Sequence, residues 1–170
     1  MNRSGSGDRA RALQEATYEA LERSFRASPV PMYGLRTPWL SPSYLGESHT
    51  VNGILQSVTL IYGSWDTDQP HVRVTTWRDL PGQDFVPDAP ADLLAAPPDP
   101  VTVTIDADPA PGTLAQLPTT AWLLRTGHAP LHVLATGRGP IGELAFEPLT
   151  DLQPLINARR AYLASRRPKG

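Results

Sequence analysis

Four histidines, His49, His71, His128 and His132, are the side chains of this sequence that can exchange a proton or hold a metal near neutral pH. His128 and His132 stand four apart, the spacing that sets two imidazoles on one helix face for zinc. Pro130 lies between them and the segment reads as a turn followed by a strand, so the rings need not face one another. No H-E-x-x-H frame occurs. Asp66-Thr67-Asp68 and Asp106-Ala107-Asp108 pair carboxylates in loops, as calcium and magnesium sites do, but the glycine and closing glutamate of an EF-hand loop are missing. Aspartate also forms turns, because its carboxylate bonds to nearby backbone, and that accounts for both pairs. Glu47-Ser48-His49 supplies residue types used in nucleophilic catalysis, yet adjacent side chains diverge and no G-x-S-x-G elbow frames the serine. Gly137-Arg138-Gly139 lacks the frame of a phosphate loop and reads as a hairpin turn. Cysteine is absent, which removes disulfides, thiolate metal sites and a cysteine nucleophile. The expectation is no metal, no cofactor and no convergent catalytic set, which weighs against an enzyme.

Charge is distributed unevenly. Between Arg78 and Arg125 there is no basic residue, while Asp79, Asp84, Asp88, Asp92, Asp99, Asp106 and Asp108 all fall in that stretch. Arg159, Arg160, Arg166, Arg167 and Lys169 cluster near the C-terminus. The acidic run either keeps a proline-rich segment soluble or offers Asp84, Asp88, Asp92 and Asp99 to a basic partner. Tyr33, Trp39 and Tyr44, with Trp65 and Trp77, are the aromatic types that binding surfaces favour, though they equally close the end of a core. A net charge of −2 and a pI near 6.0 argue against a nucleic-acid binder.

These groups need a scaffold. The spacing predicts a helix from about Asp8 to Ala27, with Leu13, Ala16, Thr17, Ala20, Leu21 and Phe25 as its buried stripe and Ser28-Pro29 as its end. Residues 29–48 read as a long loop, ordered by its aromatic groups. Ile54 to Tyr62 and His71 to Trp77 alternate as strands and form a hairpin. Residues 81–100 are rich in proline and aspartate and read as an insertion or crossover with one helical turn around Asp92 to Ala96. Val101 to Asp106 is a strand, and 120–126, 131–136 and 141–146 form an antiparallel meander. Thr150-Asp151-Leu152-Gln153 begins a last helix with Leu152, Leu155, Ile156, Tyr162 and Leu163 buried.

The sequence therefore predicts one α+β domain over residues 1–170, with flexible ends at 1–7 and 165–170. It comprises an N-terminal helix, a mostly antiparallel sheet of five to seven strands and a C-terminal helix, the helices packed on one sheet face. No signal peptide is legible at the N-terminus and no apolar run approaches a membrane span, so the expected location is cytoplasmic. Arginine supplies all the basic residues except Lys169, the usage of a high-GC, bacterial genome. The functional expectation is a non-enzymatic protein-interaction module, of an adaptor, chaperone-like or immunity type, with another protein as partner and a homodimer compatible with it. The alternative is a small-molecule-binding domain or enzyme, its pocket between the sheet and the aromatic segment 29–48, lined by Tyr33, Trp39, Tyr44, His71 and His132.

Overall fold

Alternating apolar and polar residues draw the strand segments into a single nine-stranded sheet. The computed structural model describes residues 4–27, 31–51, 54–64, 68–79, 89–128 and 131–165. The strands are β1 (Tyr33–Leu35), β2 (Pro42–Val51), β3 (Ile54–Gly63), β4 (His71–Arg78), β5 (Asp99–Ile105), β6 (Asp108–Gln116), β7 (Ala121–His128), β8 (Leu131–Arg138) and β9 (Ala145–Pro148). Helices are α1 (Ser4–Ala27), α2 (Ala91–Ala95) and α3 (Gln153–Ser165). The spatial order is β1-β9-β5-β6-β7-β8-β4-β3-β2, antiparallel throughout except for the parallel pair β5–β9.

The sheet curls into a half-barrel around its own core. Val58 and Leu60 on β3, Val72 and Val74 on β4, Leu124 on β7 and Ala135 on β8 are almost fully buried on one face. Strand β1, at the far edge of the sheet, comes round to lie against β4. Its even-numbered neighbours bond outward, Leu149 N–H to the Met32 carbonyl and Arg36 N–H to the Ala145 carbonyl. Tyr33 and Leu35 therefore direct their backbone groups the other way, into the core, where no strand is available to pair with them. Side chains take that role. Thr76 Oγ1 accepts from Tyr33 N–H at 3.1 Å and donates to the Tyr33 carbonyl at 3.4 Å, while Tyr62 Oη accepts from Leu35 N–H at 3.1 Å. Gly34 permits this approach, since a Cβ there would stand 2.7 Å from Tyr62 Oη.

This architecture corrects the expected α+β layering. Nine strands form where five to seven were expected, and the sheet encloses its core instead of offering one flat face to a layer of helices. The helices lie on both faces: α1 and α3 reach the inner core through Tyr18, Phe25, Leu155 and Ile156, whereas α2 presses Leu93 onto Ala115, Leu123 and Leu134 of the outer face. The α1 stripe also differs. Leu13 is 64% exposed, Phe25 packs on the core, the Leu21 side chain lies outside the described part, and among the described side chains of α1 the buried one is Tyr18, bonded by Gln14 one turn earlier. Arg160 of α3 forks onto Glu15 of α1 and lies over the Tyr18 ring at 5.7 Å, tying the two helices together. In α3, Asp151 Oδ1 accepts from Gln153 N–H, a cap within the Thr150–Gln153 segment expected to begin this helix.

Three strands were not legible. Residues 29–48, expected as loop, contain β1 and most of β2, whose pairing with β3 is interrupted by bulges near Ser43, Gly46-Glu47 and the His49–Thr50 step. β6 carries Pro109 and Pro111, which discourage a strand reading. Both prolines sit where β6 is paired with β5 alone, because the ladder to β7 starts at Gly112. The expected meander is likewise corrected: β7 and β8 are antiparallel neighbours, but β8 next pairs with β4, and β9 crosses to lie between β1 and β5. The pairing of Thr104–Ile105 with Ala145–Phe146 captures β9 there.

Candidate functional site

On the outer face, the register of β4 against β8 sets His71 opposite Arg138 and Arg73 opposite Thr136. Side chains directly opposite stand about 5 Å apart at Cβ, and diagonal ones about 7–8 Å. The four thus form a square, with the two arginines on one diagonal and histidine and threonine on the other. Ala89, Pro90 and Leu93 border this square, in which His71 and Thr136 are 9% and 7% exposed. A cleft of about 400 Å³ results, lined by the four polar side chains, by Ala121 on the sheet and by Ala89, Pro90 and Leu93 above. Leu93 is itself anchored, 2% exposed, on the satellite core of Ala115, Leu123 and Leu134.

The chemistry of each lining group follows from its partners. His71 Nδ1 lies 2.9 Å from the Gln69 carbonyl, which can only accept, so Nδ1 carries the proton and Nε2 is the nitrogen left for the cleft. Arg138 reaches the Thr119 carbonyl at 3.5 Å and Asp68 at 3.9 Å. Both are long, and Asp68 is 83% exposed, so this pairing is weak and exchangeable. His71 and Thr136 make no hydrogen bond to one another, so the square contains no nucleophile–base pair. It can bind and orient through donors and charge. Among the described residues no group of three or more His, Asp or Glu side chains converges as a metal site would require.

The sequence-selected residues fall in several places. His71 lines the cleft, but His132 lies at the opposite end of the same face, where Nε2 is 2.8 Å from Asp79 Oδ2 and the ring stacks on Trp77 at 5.0 Å. Tyr33 is buried in the inner core, and burial, with Asp106 adding to it, raises its phenol above the ordinary range. Trp39 lies over Gly142, where a Cβ would come within 2.3 Å of the ring, and closes the core from that side. Tyr44, with Glu47, Ser48 and His49, is placed by backbone on β2; these side chains lie outside the described part, as does that of His128. Asp84 and Asp88 lie outside the described residues. Asp92 lies in the first turn of α2, where its Oδ1 accepts from the adjacent Leu93 N–H, and Asp99 opens β5; both are exposed. Arg73, Thr136 and Arg138 were missed as a site. Alternation alone put Arg73 and His71 on one face, but the β4–β8 pairing joins segments more than fifty residues apart, and no local pattern encodes it.

No protein-family model, curated protein or solved structure matches this chain. Among the described residues no helix is long and apolar enough to cross a membrane.

Proposed function

We propose that the protein is a small-molecule-binding domain whose ligand occupies the cleft between the outer face of β4–β8 and residues 89–93. One observation carries the reading. Four polar side chains converge beneath an apolar roof in about 400 Å³, within the size range of ligand sites and with their mixture of apolar wall and few oriented polar groups. Trp39 and Tyr33, offered for the pocket from sequence, belong to the inner core and do not line this cleft. A fragment library screened against the ¹⁵N-labelled chain tests the reading. Fragments should shift the amides of 71–73, 89, 91–93 and 136–138 together. Shifts scattered over the surface, or none, would remove the site.

A second reading keeps the protein-interaction module. Asp92 and Asp99 at one end of the β5–β6 hairpin, and Asp106 and Asp108 at its turn, are all exposed. Arg160 of the C-terminal basic cluster engages Glu15 and not these aspartates. Exposed acidic groups of this kind steer a basic partner.

A further inference from the structure

We infer that the cleft selects an oxyanion, a carboxylate or phosphate group carried on a short apolar body. This rests on the cleft being a ligand site and adds the chemical class of what it takes. The β4–β8 register sets Arg73 and Arg138 on one diagonal of the square, and both arginines line the cleft. An anion seated among these side chains gains charge-assisted hydrogen bonds. Thr136 supplies a hydroxyl donor on the other diagonal, and the His71 ring, fixed by its Nδ1 bond to the Gln69 carbonyl, presents Nε2 as acceptor or, once protonated, as a further donor. The planar donor fork of arginine matches the oxygens of a carboxylate or phosphate.

Arg138 is suited to exchange partners. Its contacts to Asp68 and Thr119 are long, and its side chain is 34% exposed, so an incoming oxyanion competes with a solvated carboxylate and not with a buried pair. Above the square, Ala89, Pro90 and Leu93 offer only apolar surface, which fits the uncharged part of the ligand. The volume accommodates roughly a dozen non-hydrogen atoms, judged from the ~30 Å³ that a water molecule occupies in the liquid.

Three probes of matched shape separate charge from fit: benzoate, phenyl phosphate and neutral benzamide. Each is titrated into the ¹⁵N-labelled full chain, following the amides of 71–73 and 136–138. Benzoate or phenyl phosphate is expected to bind there, the tighter of the two identifying the preferred oxyanion, with benzamide at least about tenfold weaker, as for loss of a charged hydrogen-bond partner. Arg138→Gln should weaken the bound anion about tenfold, Arg138→Lys should restore part of the loss, and raising salt should weaken it further. Both variants leave a partly exposed position, and an unchanged melting temperature confirms that they fold. Benzamide binding as tightly as benzoate, or Arg138→Gln leaving anion affinity unchanged, would overturn the oxyanion assignment while the cleft stood as a ligand site. Anions that shift no cleft amide, in a protein whose cleft takes neutral fragments, would overturn it as well.

Discussion

The closure of the half-barrel makes Thr76→Val the most informative stability variant. Valine nearly matches threonine in volume, so packing against β1 is retained and the hydroxyl alone is lost. Thr76 is fully buried, and its Oγ1 serves both the N–H and the carbonyl of Tyr33. Tyr33 is 7% exposed, so water cannot replace either bond without opening the core. An orphaned buried donor costs about 1–3 kcal/mol, and the long carbonyl contact adds little to that. For a chain of this size about 1 kcal/mol corresponds to a shift of roughly 2–4 °C, so the melting temperature should fall by roughly 3–10 °C. Tyr62→Phe, which orphans Leu35 N–H, should cost a similar amount. Because both hydroxyls hold the same three-residue strand, the double variant should fall short of the sum. Thr75→Val is the control: its hydroxyl bonds to Thr59 on the outer face, where both residues are half-buried, and its loss should cost less than about 0.5 kcal/mol. Urea unfolding of the four variants measures this. Equal losses for Thr76→Val and Thr75→Val would refute the claim that hydroxyls close the sheet at β1.

Burial raises the Tyr62 phenol, against the opposing pull of the Leu35 amide and with Glu147 adding to the rise, and Tyr33 is raised as well. Stability should therefore be fully present below the ordinary phenol value of 10.0 and fall as pH rises from there toward the folded value, because the unfolded chain loses its protons first; Tyr62→Phe should flatten that fall in alkaline urea titrations. Ala107 holds φ of 68° in the β5–β6 turn, a conformation that costs a residue with a Cβ about 1–2 kcal/mol, so Ala107→Gly should stabilise the protein by up to about 1 kcal/mol once the greater freedom of the unfolded glycine is subtracted. If the acidic stretch steers a basic partner, replacing Asp84, Asp88, Asp92 and Asp99 with Asn should slow association more than it speeds dissociation, by surface plasmon resonance across a salt series, and an on-rate indifferent to both changes would remove that reading.

Local patterns were legible where the physics is local. The β3–β4 hairpin, the helical turn at α2 and the Asp151 cap follow from alternation, composition and capping chemistry within a few residues. What depended on distant pairing was not. β6 was hidden because proline is excluded from strands paired on both sides, and only the late start of β7 frees Pro109 and Pro111 from that rule. The strand expected at 141–146 is β9, shifted to Ala145–Pro148, and its place is fixed by Thr104 and Ile105 across the sheet. The aromatic segment kept two readings, core closure and binding surface, because Tyr33 and Trp39 look the same in sequence whether they seal a core or face a ligand. The cleft is the extreme case. His71 was singled out, but the residues that make it part of a site, Arg138 and Thr136, enter only through the β4–β8 register.

Ala121 lies in register beside Arg138 on the floor of the cleft and is half-buried, so a large side chain there fills the cavity without entering the inner core. The fragment screen repeated on Ala121→Trp tests the central claim most directly. Fragments that shift residues 71–73, 89, 91–93 and 136–138 in the wild-type protein should no longer do so, while the variant keeps a cooperative unfolding transition. Fragments that bind the plugged protein as they bind the wild type would contradict the assignment of the cleft as the binding site.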